Sequence, residues 1–260
     1  MAGIEDFIKR KNEFKKSHEG LISEPRLITF DGPDGVGKTE ISKKVIGFLK
    51  EKLIRNGKSP DDIIYFKYTS LIDTESQKNL DKNIRKCKDE KTGSWDQEKI
   101  IHILKLFSAK LNRSYNDHIL PLIKQGKIVI LDRSEIDLLR SGLEWGDQNF
   151  LDKIIEYIKN GTITHGITAG NRIFVSSSPN DTFKNLSERK DPLSPNDPKS
   201  PEEAMIRHEN QKKAEKLFTE TFNQKGVQTI KIENRRVENE EEKNAQLDKI
   251  AKEIIDKLKI

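Results

Sequence analysis

Leu27-Ile28-Thr29-Phe30-Asp31-Gly32-Pro33-Asp34-Gly35-Val36-Gly37-Lys38-Thr39 is the stretch that decides the fold. An apolar strand runs into G-x-x-x-x-G-K-[ST] at residues 32 to 39, and Glu40-Ile41-Ser42-Lys43-Lys44-Val45-Ile46-Gly47-Phe48-Leu49 continues as a helix. Strand, loop and helix in this order form the phosphate-binding P-loop signature. Gly32 and Gly37 let the backbone curl until successive N–H groups converge on phosphate oxygens. Lys38 is placed to reach β- and γ-phosphates, and the Thr39 hydroxyl to ligate Mg²⁺. The helix directs its positive dipole end at the same anion. Gly32, Pro33, Asp34, Gly35, Val36, Gly37, Lys38 and Thr39 are the expected triphosphate-binding residues.

Working outward, Asp62-Ile63-Ile64-Tyr65-Phe66 reads as a second strand after the breaks at Gly57 and Pro60. Residues 70 to 94 are polar and without strong periodicity. A helical stripe from Ser94 to Gln125 carries Ile100, Ile101, Ile103, Leu104, Leu106, Phe107 and Leu111, with Pro121 near its end. Lys127-Ile128-Val129-Ile130-Leu131-Asp132 is a third strand, apolar enough for burial on both faces. A helical pattern returns from Phe150 to Ile158. Asn171–Val175 and Val227–Ile232 read as strands four and five, and a terminal helix runs from Glu241 to Ile260. Strands alternating with helices imply an α/β fold with a parallel sheet covered on both faces.

In front of this core, Ile4, Phe7, Ile8 and Phe14 recur at near-helical spacing, and Pro25 separates that expected extra N-terminal helix from the first strand. The expected organisation is a helical extension over residues 1–25 and one domain over 26–260. Four of the nine prolines fall between Arg189 and Pro201, making a stiff polar segment between two helical stretches.

Asp132-Arg133 at the end of strand three is the second informative element. An acid at that place holds Mg²⁺ directly or through water. An arginine beside it can fork two oxygens of a second phosphate. With Lys38 and Mg²⁺, the pair can hold a donor and an acceptor phosphate in line.

Composition sets the bounds. Hydrophobic residues make up 33% of 260 and charged residues 35%, so helices should have narrow apolar stripes and solvated outer faces. The net charge of +5 is interspersed along the chain, which reads as an ordinary soluble surface with no nucleic-acid groove. Cys87 is the only cysteine, which excludes an internal disulfide and fits a reducing compartment; in its polar stretch it reads as incidental. No apolar run approaches membrane-spanning length, and the N-terminus lacks a secretory h-region, so the expected location is cytoplasmic, with no membrane partner. His18, His102, His118, His165 and His208 lack zinc-ligand spacing. No nucleophile elbow or dinucleotide fingerprint occurs.

Phe30 to Thr39, the stretch Leu106-Phe107-Ser108-Ala109 followed by Pro121-Leu122-Ile123, and Asp132-Arg133 together resemble the thymidylate kinase family of P-loop nucleoside monophosphate kinases. The resemblance covers about residues 26 to 133 well and the remainder by element order. It implies a P-loop kinase fold with a five-stranded parallel sheet flanked by helices and a short lid at about 188–202. It also implies ATP and Mg²⁺ as cofactors, a deoxynucleoside monophosphate as acceptor (dTMP in the type members), nucleotides as partners and a homodimer. On these positions Lys38 and Arg133 would be catalytic, with Asp132 and Thr39 holding the metal. Asp34 would sense the acceptor sugar hydroxyl, Phe107 would stack on its base, and Arg133 would hold its phosphate. With Gly at position 35 the P-loop lacks an internal cation. The chain therefore resembles the variant whose lid supplies one, with Arg189 and Lys190 as candidates.

The departures cluster at the acceptor. Ser134 stands for the family tyrosine, Leu111 for an arginine, and Asp137 with Arg140-Ser141 for a serine and glutamine; past strand two only Lys67 is cationic. Two other readings follow. A deoxynucleoside kinase also carries acid-Arg-Ser, as Asp132-Arg133-Ser134 does, but it needs a general base near a 5′-hydroxyl, and no carboxylate lies between Ile63 and Ile72. The other is a non-catalytic nucleotide-binding protein derived from a kinase.

Overall fold

Alternate residues of each strand face opposite layers, and both layers are apolar. Ile28, Phe30, Ile128, Ile130, Ile173, Val175, Ile230 and Ile232 join one buried cluster, while Leu27, Val129, Leu131, Ala169 and Phe174 join the other. Period two with both parities apolar demands cover on both faces. The computed structural model describes residues 22–67, 87, 96–145, 148–164, 166–189, 197–222 and 226–258. Its five strands, β1 (Ile22–Asp31), β2 (Ile63–Lys67), β3 (Ile128–Asp132), β4 (Ile167–Ser176) and β5 (Gln228–Glu233), are all parallel in the order β2-β3-β1-β4-β5.

The helices are α1 (Lys38–Arg55), α2 (Gln97–Ser114), α3 (Leu120–Lys124), α4 (Ile136–Trp145), α5 (Gln148–Lys159), α6 (Pro179–Ser187), α7 (Pro201–Thr221) and α8 (Glu240–Lys257). α1 and α8 cover one face through Ile41, Val45, Leu49, Leu247, Ile250 and Ile254. α2, α4, α5 and α7 cover the other through Leu111, Ile136, Leu139, Ile154, Ala214 and Phe218. No described helix is long and apolar enough to cross a membrane.

Several local readings are corrected or sharpened. Pro25 does not precede the first strand; it lies inside β1, where the pairing with β4 shifts between Glu24 and Ile28. A proline cannot donate to a ladder, and a bulge is where a strand tolerates that loss. The helical stretch expected over 94–125 is present from Gln97 to Lys124: it starts on the Asp96 N-cap, whose carboxylate accepts from Lys99 N at 3.1 Å, and passes through a π-turn at Tyr115–Ile119 before Pro121. The wide stripe overshoots its cover, since Leu106 is 55% exposed while Ile100 and Leu111 are buried. Cys87 is buried, and its carbonyl accepts from Asp96 N at 2.7 Å. Pro201, the last proline of the stiff segment, is the first residue of α7 behind the Ser200 N-cap, where its missing N–H costs nothing. The expected N-terminal helix and most of residues 70–94 and of the stiff segment fall outside the described residues.

Candidate active site

The loop after β1 is held by backbone contacts that leave no room for side chains. Gly32 has φ +139°, and a Cβ there would lie 2.1 Å from the Val175 carbonyl oxygen of β4. Gly35 has φ +84°, and a Cβ there would lie 2.7 Å from the Thr182 carbonyl oxygen of α6. The absence of a cation at position 35 thus has a packing cause. Asn185 Nδ2 donates to the Gly35 carbonyl at 2.9 Å, and Asn234 Nδ2 to the Val36 carbonyl at 2.9 Å. Asn234 is fixed in turn by Gln246, at 2.9 Å. Lys38 Nζ arches back over the loop and donates to the carbonyls of Gly32 (2.8 Å) and Pro33 (2.6 Å). Burial, reinforced by Arg133, lowers the Lys38 ammonium to about 8, with Asp34 and Asp132 opposing.

One helical residue further, the Thr39 hydroxyl donates to Asp132 Oδ2 at 2.9 Å. Tyr65, from β2, donates its phenol to the same oxygen at 3.0 Å. Burial, and then the charge of Asp132, push the Tyr65 phenol up to about 12, so it remains a donor. A hydroxyl and a carboxylate beside a phosphate cradle form a hard-oxygen donor set that fits Mg²⁺, which takes few protein ligands and fills its shell with phosphate and water. Consistent with that economy, no group of three or more His, Cys, Asp or Glu gathers as a metal cage among the described residues.

Across the loop from Lys38 stands Arg133, the only non-glycine among the described residues with positive φ, at +83°. Its N–H donates to the Phe30 carbonyl at 2.8 Å, tying the β3 end to β1. A left-handed arginine is strained, and such strain persists only where the surroundings over-determine it. Here the guanidinium is gripped by Asp34 of the loop and, at 3.0 Å, by Asp137 of α4. Asp137 also accepts from Arg140 at 3.0 Å, and Arg140 pairs with Glu144 at 2.6 Å. Burial opposes ionisation of both loop-side carboxyls, yet the arginines win. Asp137 is held down at about 2 by Arg133 and Arg140, and Asp34 well below the carboxylate range by Arg133, Lys38, Arg140 and Arg207.

Asp31, at the end of β1, belongs to a buried polar cluster. Asp31 accepts from Ser134 at 2.7 Å and from Thr29 at 3.0 Å, and Arg172 Nη1 donates to Ser134 at 3.1 Å. Arg172 also binds Glu135 and Thr168, and its guanidinium lies 4.3 Å from the centre of the Phe218 ring. One guanidinium among several acids leaves protons behind. Burial raises Asp31 to about 6, despite Arg172 and Ser134. On α7, burial and then Asp31 raise Glu215 to about 7. Ser134, where the resembled family has tyrosine, is fully buried and is the joint between Asp31 and Arg172.

The structure thus brings together Lys38, Thr39, Asp132, Asp34 and Arg133. It does not bring in Arg189, which is exposed at the end of α6. After Arg133, Lys38 and Arg140, the charge of Arg207 on α7 also acts on Asp34. Lys67 ends β2 opposite Asp132 in the ladder, with its side chain outward. Lys190 and the side chain of Phe107 are outside what is described. Sequence reading missed Tyr65, and it took Asp137 and Arg140 only as mismatches. Strand alternation could have found Tyr65: two residues after buried Ile63 on β2, it faces α1, where Thr39 lies.

No family model matches the chain. Among solved structures, the chain is similar to thymidylate kinase from Ehrlichia chaffeensis, with 15% identity over 90% of this chain and 98% of that one and a TM-score of 0.53. The likeness is one of fold: a five-stranded parallel sheet flanked by helices around a P-loop.

Proposed function

We propose that this chain transfers the γ-phosphoryl group of ATP to a deoxynucleoside monophosphate, with dTMP to dTDP the first conversion to test. The supporting observation is the pairing of two corners on one loop. Lys38, Thr39 and Asp132 form the donor corner, and Arg133 forms the acceptor corner, with Asp34 between them. Thr39 and Asp132 would hold Mg²⁺, which would supply charge neutralisation to the triphosphate. Lys38 exchanges its two carbonyl partners for phosphate oxygens, and the gain in neighbouring negative charge restores its full protonation. Arg133 forks the acceptor phosphate, orienting it in line with the donor. Arg207 of α7 adds positive charge near Asp34.

A nucleoside 5′-hydroxyl as acceptor is the second reading, because Asp137 supplies a carboxylate beside Arg133 that the region after β2 lacks. Its titration argues against it. A carboxylate held at about 2 is a poor general base near neutral pH, and Asp34 is held lower still. An acceptor that is already anionic needs clamping, which Arg133 is placed to do.

A coupled assay for ADP with ATP, Mg²⁺ and each deoxynucleoside monophosphate, run beside the free nucleosides, tests the proposal. Turnover with a monophosphate and none with nucleosides is expected. Turnover with thymidine but not dTMP would transfer the chain to the second reading. ATP binding without turnover of any acceptor would end the kinase proposal.

A further inference from the structure

We propose that Tyr65 is a positioning residue for the metal corner, one that fixes the Asp132 carboxylate in the rotation needed to serve Mg²⁺. The inference rests on the reading of Thr39 and Asp132 as the metal-binding pair, and it concerns a residue that the P-loop motif does not contain.

The geometry carries it. Two hydroxyls from two different elements converge on a single oxygen, Oδ2: Thr39 from the start of α1 at 2.9 Å and Tyr65 from β2 at 3.0 Å. No hydrogen bond from a described residue falls on Oδ1. A carboxylate held by one donor can still swing about its Cβ–Cγ bond; held by two donors of fixed origin, it cannot. The donors are not equivalent, because the Thr39 hydroxyl is also the group that must offer its oxygen to the metal. Tyr65 has no such second duty. Its backbone is pinned beside Ile130 in the β2–β3 ladder, and its ring packs against the apolar cluster under α1. Sheet and core therefore fix the phenol before any ligand arrives. The free edge of the carboxylate, Oδ1, is left for the water shell of the cation. Residues that orient a metal's ligands in this way change its affinity by about ten- to a hundredfold when removed.

The test is direct metal binding. Mn²⁺ is titrated into the full chain with a non-hydrolysable ATP analogue and followed by the loss of the free-ion electron paramagnetic resonance signal. Tyr65→Phe, which keeps the ring, should weaken Mn²⁺ binding about tenfold, with a wild-type thermal midpoint and an unchanged acceptor KM. In an Asp132→Asn background, adding Tyr65→Phe should change nothing further, because Tyr65 acts through that carboxylate. Unchanged Mn²⁺ affinity in Tyr65→Phe overturns the inference. So does a loss that persists undiminished in the Asp132→Asn background, since the ring would then act by packing alone. Wild-type chain that takes up no Mn²⁺ with the analogue overturns both this inference and the proposed function. Weakened metal binding in the variant, together with a wild type that turns over no monophosphate, supports Tyr65 and overturns only the acceptor reading.

Discussion

The donor and acceptor corners share one loop but are built from different materials. The donor corner is backbone: glycines that approach carbonyls too closely for any Cβ, and asparagines from α6 and the β5–α8 loop that bind the loop's own carbonyls. The acceptor corner is a chain of alternating charges, Asp34–Arg133–Asp137–Arg140–Glu144, carried by side chains on a loop, a strand end and α4. Backbone cradles admit few substitutions, because the conformation itself is the binding group. Charge chains admit many, because each pair can be exchanged for another of equal balance. That contrast fits an intact P-loop pattern beside departures from the resembled family at Asp137 and Arg140, both within the charge chain.

The contrast is tested most severely by removing one cation from each corner. Lys38→Ala should lower kcat by about 10²–10³-fold, since the group stabilises charge that develops in transfer. Arg133→Ala should lower kcat/KM for the acceptor by roughly 10²-fold while leaving ATP-analogue affinity unchanged, because it also leaves Asp34 and Asp137 without their shared partner. Steady-state kinetics and an ATP-binding titration separate the two. If Arg133→Ala weakens ATP binding as much as Lys38→Ala does, the corners are not separate.

A smaller effect is expected within the charge chain. Asp137→Asn keeps a hydrogen-bonding side chain but removes the carboxylate that competes with an incoming phosphate for Arg133 and Arg140. The acceptor KM should fall about threefold, on the order of 0.6 kcal/mol. A rise in KM would mean that Asp137 aims Arg133 more than it competes with the acceptor.

The smallest effect concerns the buried cluster that joins the corners. Asp31 and Glu215 are raised in the fold, to about 6 and about 7. Their stabilising contributions are therefore fully present only below the ordinary carboxylate pKa values, and are lost as pH rises through about 6 for Asp31 and about 7 for Glu215, where the folded chain must give up protons it holds more tightly than the unfolded one. The thermal midpoint should rise as pH is lowered from 7.5 to 5. Asp31→Asn should flatten that rise by about 4 °C, measured by calorimetry across the same range. An unaltered slope would show that Asp31 shares its proton with no pH-dependent cost.

The donor corner was legible in the sequence because its function is written in contiguous residues. Gly32, Gly35, Gly37, Lys38 and Thr39 act through local backbone geometry, and Asp132 ends a strand whose apolar run announces it. The charge partners around Arg133 and in the buried cluster were not, because they lie far apart in sequence: Arg133 meets Asp34 across 99 positions, and Arg172 of β4 meets Asp31 of the adjacent β1. Asp137 and Arg140 looked like failed matches until α4 placed Asp137 against Arg133 and Arg140 against Asp137. Arg189 is exposed just past α6, while the charge of Arg207 on α7 acts on Asp34.

By itself, then, the sequence determined the parallel sheet, through the apolar residues at both parities of its strands, and the phosphate loop, through glycine spacing that only one backbone path satisfies. Tertiary structure alone decided which charges face each other around Arg133, why position 35 carries no side chain, and that a tyrosine from the neighbouring strand stands over Asp132. The physical reason is range. Backbone conformation is settled by neighbours along the chain, whereas the balance of a buried charge depends on partners that only folding brings within a hydrogen bond.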